Sequence, residues 1–354
     1  MLGIDRRAAR YAWTVALTVL ALCLVYLVRR TLFIFVLALL FAYLLSPLVN
    51  LLDRVLHGAR TRGWGLGLAY IIFVGLMVLI GTQIGTRVVA QATALGQKLP
   101  DLLENWQQAS QKPPSAINSF RTQILERAKA EIAARSGEIF GTLSKLGLKA
   151  LTAAGDVVYV VIVPILGFFF LKDGHVIRAH ILELVAEGPR RALVDDVLAD
   201  IHLLLARYMR ALVMLSLATF TAYTVGFSIM GVPYSVLLAA LAGMLEFIPM
   251  IGPLTAGALI VVVGAVSGGP VWPIVIFVLA YRLVQDYVLS PLLMKQGVEL
   301  HPLLVLFGVF AGAELAGIAG AFLSVPVLAL ARVMYERIRK ARRAEELTPL
   351  GSQL

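Results

Sequence analysis

The sequence predicts an all-α polytopic membrane protein of about eight hydrophobic segments, two of them re-entrant helical hairpins in an inverted repeat, plus a small extracytoplasmic helical domain. Three observations predict it. Of 354 residues, 60% are hydrophobic and 15% charged, against about half and about a quarter in a soluble globular chain; the mean hydropathy is +0.87. The apolar residues gather in runs of roughly 18 or more, long enough to cross ~30 Å of hydrocarbon. Two late runs are broken near the middle by proline or glycine, each beside an acid.

Residues 1–90 read as an N-terminal transmembrane hairpin and a third span. The apolar runs are 11–28, 31–52 and 64–89, and only Arg29-Arg30 separates the first two, so a tight helical hairpin is expected. The first run exceeds a signal-peptide core of about 7–15 residues and no small-residue cleavage site follows it, so it reads as retained. Pro47 lies inside the second run, where membrane neighbours can satisfy the freed backbone. Cys23 is the single cysteine, which excludes a disulfide framework and a cysteine metal site.

Residues 91–149 change character. Eight Lys/Arg, five Asp/Glu and the Pro113-Pro114 break, with amphipathic spacing at Ile124, Ala128 and Ile132, mark a small helical domain outside the bilayer. Residues 150–206 hold a fourth span, 150–171, and an amphipathic helix. In that helix Leu193, Val194, Val197, Leu198, Ile201 and Leu205 share one face while Asp195, Asp196, Asp200 and His202 lie off it. Lying in the interface and packing on the protein's own cytoplasmic face are equal readings.

The net charge of +10 sits mostly between and beside the apolar runs, where it reads as orientation signal and headgroup contact rather than nucleic-acid binding. Arg6, Arg7 and Arg10, then Arg54, Arg60 and Arg62, then Arg337, Arg339, Lys340, Arg342 and Arg343 of the basic tail 334–354 fall on one side if passes alternate. The positive-inside rule makes that side the cytoplasm, with both termini on it. Arg29-Arg30 is the exception.

Function is expected in residues 207–333, a transport core. A run from about 208 to 230 is followed by arms at about 234–246 and 254–266, each ~13 residues or ~20 Å, short of a crossing. Between them stand Glu246, Pro249, Gly252 and Pro253. A run at 271–291 precedes 301–333, whose middle carries Gly312, Glu314, Gly317 and Gly320. The two breaks follow Gly231-Val232 and Gly297-Val298 at similar distances, and the runs before them cross in opposite directions. Paired interrupted segments of this kind point to a secondary-transporter site near the midplane; two tilted spans are the plainer alternative.

An ionisable group at the centre of a span costs about 2.5–3.5 kcal/mol on the insertion scale, so each needs a reason. Arg282 and Asp286 stand i, i+4 and can pair, as structure or as a coupling element. Glu246 either caps freed backbone or meets solute or cation. Glu314 is either a coupling carboxyl, if burial raises its pKa, or a helix–helix hydrogen bond. Arg207 and Arg210 read as anchors or as a gate. The five histidines form no ligand spacing, and "GWGLG" at 63–67 lacks the strand of a nucleotide loop. No hydrolase constellation is present, so neither an enzyme nor an ATP-driven pump is expected, and no cofactor is implied.

Four stretches carry a family resemblance: "SPLVNLLDR" (Ser46–Arg54), "VIVPILGFFFLKDG" (Val161–Gly174), "GVPYSVLLAALAGMLEFIPMIGP" (Gly231–Pro253) and "YVLSPLLMKQGVELHPLLVLFGVFAGAELAGIAGAFLSVP" (Tyr287–Pro326). In order and spacing they resemble the autoinducer-2 exporter family of bacterial permease-like proteins. The resemblance implies an oligomeric, elevator-like inner-membrane transporter, some members being associated with autoinducer-2 export and others with sodium/proton antiport. It puts the family's hairpin motif on Glu246, Pro249, Gly252 and Pro253, and its second glycine-rich segment on Gly312, Glu314, Gly317 and Gly320. Ala211, Leu212 and Met250 depart from the family pattern, so the cargo stays open. The partners implied are the lipid bilayer, a small solute, sodium or protons, and further copies of the chain. A non-transporting scaffold that binds a partner through 91–149 is the reading from a different class.

Overall fold

The computed structural model describes residues 6–55, 62–109, 161–293 and 300–347, and these are helical with no strand among them. The helices are α1 (Arg6–Leu27), α2 (Arg29–Val55), α3 (Arg62–Ile80), α4 (Thr86–Ala109), α5 (Val163–Glu183), α6 (Pro189–Ile229), α7 (Ser235–Leu245), α8 (Ile251–Val266), α9 (Val271–Val284), α10 (Ser290–Leu293) and α11 (Pro302–Leu347). Six described helices or helix runs are long and apolar enough to cross a membrane, while α7 and α8 are apolar but shorter. Exposed leucines, isoleucines and phenylalanines cover the outer faces, Ile229, Leu254 and Phe307 among them. In water such a surface would aggregate; in lipid it is the solvated one.

The expected hairpin between the first two runs is corrected. Arg29-Arg30 makes no turn: the Val28 amide bonds to the Leu24 carbonyl at 3.0 Å and Leu32 to Val28 at 3.0 Å, so the helical pattern runs on with a single interruption. Between residue 6 and Pro47 there is neither glycine nor proline to break it. The described residues of α1 are exposed throughout, as a helix not folded back on α2 must be. Arg29 lays its guanidinium 4.2 Å from the Tyr26 ring centre. Two unit boundaries also fall inside helices: α4 continues past residue 90, and α6 runs unbroken through 206 and 207. Residues 110–149 of the proposed outer domain, and 150–160 of the fourth span, lie outside the described residues.

Three apolar clusters hold the helices. The first joins α2, α3 and α5 through Leu45, Val49, Leu66, Ala69 and Leu171, with the Tyr70 hydroxyl donating to the Pro164 carbonyl at 2.8 Å. Here the "GWGLG" stretch is plain α-helix, and Gly65 lets α3 approach Asp53 of α2 closely. The second cluster joins α4, α6, α7, α8 and α9 around Phe227, Leu238, Ile260 and Ile274. The third seats α11 on α2 and α6, with Phe322 and Leu323 against Leu40, Leu205 and Met209.

Helix α6 has 41 residues, ~62 Å at 1.5 Å each, about twice the hydrocarbon thickness. No proline or glycine interrupts it between Arg190 and Val225. Its acids meet the protein's own cations: Asp195 pairs with Arg178 of α5 at 2.7 Å, while Arg337 of α11 reaches Asp196 at 3.0 Å and Asp200 at 2.6 Å. These ion pairs tie the N-terminal half of α6 to α5 and α11.

Both breaks are present. After α7, a turn through Phe247, Ile248, Pro249 and Met250 restarts the helix at Ile251, with Met250 at φ +63°. The Gly252 amide donates to the Ile248 carbonyl at 2.9 Å, and a Cβ at 252 would run into the Leu245 carbonyl. In α11, Ala316 (φ −142°) and Gly317 (φ +63°, ψ −147°) leave helical geometry, the latter in a region that only glycine enters freely. The two arms of α11 then fold back on each other: Gly312 lies on Gly320, and Gly308 faces Ser324 and Leu328, the running register of an antiparallel pair. A methyl at Gly312 or Gly320 would strike the opposite backbone.

Candidate functional site

Glu246 closes α7 as its C-terminal cap and turns inward, 7% exposed. The approach of α7 to α6 puts it there: the Ser216 hydroxyl donates to the Gly243 carbonyl at 2.7 Å, one turn before Glu246. At its other end α7 is tied to α4, where the Leu237 amide donates to Gln91 Oε1 at 2.9 Å.

A buried carboxyl needs partners, because an unsatisfied one carries the full desolvation cost. Glu246 has two. Gln285 Nε2 of the α9 segment donates to Oε2 at 2.7 Å, and Thr219 Oγ1 of α6 donates to Oε1 at 3.3 Å. Thr219 is 1% exposed and Gln285 3%. Thr219 Oγ1 also lies 2.9 Å from the half-buried Tyr281 hydroxyl. Rings wall the cluster: Tyr223 packs on Tyr281 at 5.0 Å and on Phe277 at 5.9 Å between centroids. Gln285 opens a π-helical turn, Gln285–Leu289. Such turns recur at functional sites because the extra residue re-aims a side chain within an otherwise regular helix.

The predicted site residues divide. Arg282 and Asp286 form the expected pair, 2.8 Å apart and partly exposed, on the α9 surface beside the Tyr281–Gln285 face. Pro249 lies in the turn after Glu246 and Gly252 and Pro253 in the first turn of α8, where Gly252 is buried. Gly312 and Gly320 are the close approach in α11, and Gly317 is its break. Glu314, however, is exposed one turn before that break and is not gathered into the Glu246 cluster. Arg207 is half-buried and Arg210 exposed on α6, one or more turns from Thr219.

Thr219, Tyr281 and Gln285 escaped sequence reading. Uncharged polar residues barely disturb a hydropathy profile, and only the charges in apolar runs stand out. A signal existed in the spacing: Tyr281 and Gln285 are i, i+4 on one face, as are Thr219 and Tyr223 on α6.

With this geometry in view, comparison with known proteins is informative. A family model described as AI-2E family transporter matches residues 15–340. The chain is 25% identical over 314 residues to YueF of Bacillus subtilis, named as a candidate transport protein, covering 84% of this chain and 81% of the relative. It is 28% identical over 342 residues to MT0215 of Mycobacterium tuberculosis, named likewise, covering 92% and 88%. It is 24% identical over 305 residues to PerM of Escherichia coli K12, named as a candidate permease, covering 84% of each.

Proposed function

The chain belongs to the AI-2E transporter family, and from that premise we propose that it is a secondary transporter exporting a small solute by an elevator-like movement of its two broken hairpins. The observation that carries this reading is a carboxyl, Glu246, buried and hydrogen-bonded beside a helix break in the membrane part of the chain. An acid there is costly and needs a reason, and a transporter needs a polar site that can change its access.

The arm lengths support re-entry. Helix α7 has 11 residues and α8 has 16, ~16 and ~24 Å against ~30 Å of hydrocarbon, whereas in α11 only the arm before the break is that short. Two such hairpins, entering from opposite leaflets, form a transport unit with Glu246 and Glu314 near its two tips. Residues Pro249, Gly252 and Pro253, with Gly312, Gly317 and Gly320, shape those tips; Arg282 and Asp286 line the route, and Arg207 and Arg210 anchor α6 at the cytoplasmic side. The protein sits as a multi-pass homo-oligomer in the inner membrane with both termini in the cytoplasm. An autoinducer-2-like polyol is the solute the family description favours.

Proteoliposomes test it. Wild-type protein should release entrapped autoinducer-2 under an imposed ion gradient, and Glu246→Gln should not. Unchanged release by Glu246→Gln removes the proposed site. Sodium/proton antiport is the second reading, favoured by a carboxyl whose partners are all neutral side chains. It fails if an imposed sodium gradient moves no protons.

A further inference from the structure

We propose that Tyr281 and Thr219 form a hydroxyl relay that delivers a proton to Glu246, and so name the proton as the species this site takes up. The inference deepens the transporter reading and rests on it only for the purpose the proton serves.

An ionised Glu246, which can only accept, sets the direction. Both carboxylate oxygens of Glu246 face donors: the Gln285 amide on Oε2 at 2.7 Å, the Thr219 hydroxyl on Oε1 at 3.3 Å. Thr219 has one proton to give, so when it serves Glu246 its own oxygen accepts from Tyr281 at 2.9 Å. The ionised state is thus a chain of donors, Tyr281 to Thr219 to Glu246, with no donor used twice. The chain also climbs in exposure, from 1% at Thr219 to the half-buried Tyr281. A sodium ion would need oxygen lone pairs turned inward, yet an amide N–H is aimed at one carboxylate oxygen and a hydroxyl at the other.

Uptake balances without a further reactant. A proton from hydronium bonds to Tyr281 Oη as Tyr281 passes its own to Thr219 Oγ1. Thr219 passes its original proton to Glu246 Oε1. Both hydroxyls end neutral, Glu246 ends as the neutral acid, and water is released. The hydrogen bonds now point outward, from Glu246 to Thr219 to Tyr281, and rotation of the hydroxyls resets the chain. The charged and titratable groups that bear on Glu246 are Tyr281, Arg282 and Asp286 of the α9 segment and Tyr223 of α6. Tyr223 touches Tyr281 through its ring.

The test is infrared spectroscopy of the full chain in lipid nanodiscs, following the carboxylic C=O band that Glu246→Gln removes. After an acid jump, Tyr281→Phe and Thr219→Val should slow its appearance roughly tenfold or more. Thr219→Ser, which keeps the hydroxyl, and Tyr287→Phe, at an exposed tyrosine outside the cluster, should rise at the wild-type rate. Equal rates in all variants overturn the relay, as does a Glu246 that never shows the band while the protein is folded. A band abolished by sodium chloride at constant pH overturns it in favour of a cation site. No solute is used, so loss of the relay leaves the transporter reading standing, and a protein that relays but exports nothing sinks that reading alone.

Discussion

Phe247 and Phe322 touch, their ring centroids 6.0 Å apart and their planes inclined by 55°. Phe247 follows the buried Glu246 directly, and Phe322 lies two residues past the Gly320 contact in α11. The pair is therefore where the turn after α7 meets α11, and Phe322 also belongs to the surface that seats α11 on α2 and α6. A movement of either hairpin must carry this contact along or separate it.

Separating it by mutation should have a measurable cost. In a double-mutant cycle of Phe247→Ala and Phe322→Ala, denaturant unfolding in detergent should give a coupling of about 0.5–1.5 kcal/mol. A coupling indistinguishable from zero means the hairpins do not communicate through these rings.

Gln285→Leu should remove the nearer donor from the buried Glu246 carboxyl at almost the same volume. The expected loss is about 1.5–3 kcal/mol, the range for a hydrogen bond to a charged group. Combining it with Glu246→Gln should recover much of that loss, because no charge is then left short of a donor. Additive effects in equilibrium unfolding would show that the two side chains act independently.

The close approach in α11 predicts a sharp size limit. Gly312→Ala and Gly320→Ala should each destabilise by about 1–3 kcal/mol, since the added carbon meets backbone rather than a movable side chain. Gly174→Ala in α5 has open space around it and should be neutral or stabilising by up to about 1 kcal/mol. Melting temperatures of the three variants decide the matter; equal shifts would mean that the arms do not pack as described.

Arg337 joins Asp196 and Asp200 of α6 from the far end of α11. Arg337→Gln should cost about 1 kcal/mol or less, because the groups are partly exposed. The clearer readout is proteolysis at the end of α11, which should quicken in low salt and match wild type in high salt. A difference that persists at high salt points to lost packing rather than lost charge.

Much of this molecule was legible before folding was considered. The Pro249-Met250-Ile251-Gly252-Pro253 and Ala316-Gly317 breaks announce themselves, because proline and glycine disrupt helices through their own backbones wherever they stand. The Arg282–Asp286 pair follows from a spacing of four. The tight turn expected at Arg29-Arg30 failed for the complementary reason: charge marks where a chain can meet water, but charge does not bend a helix. The amphipathic stretch before Arg207 and the span after it differ in hydropathy, which suggests two elements; with no residue to stop it, the helix simply continues.

By itself, then, the amino-acid order determined that this chain lives in lipid, that it is helical, where proline and glycine break its helices and which family it resembles. Those properties depend on composition and on local backbone preference. Which acid is buried was decided only in three dimensions. Glu246 and Glu314 look alike along the chain, each an acid beside a break in an apolar run, yet one is enclosed by Thr219 and Gln285 and the other faces outward. Residue 219 precedes Glu246 by 27 positions and residue 285 follows it by 39. No local preference encodes such a meeting; it arises because α6, α7 and α9 pack their apolar faces together and leave these polar groups only one another.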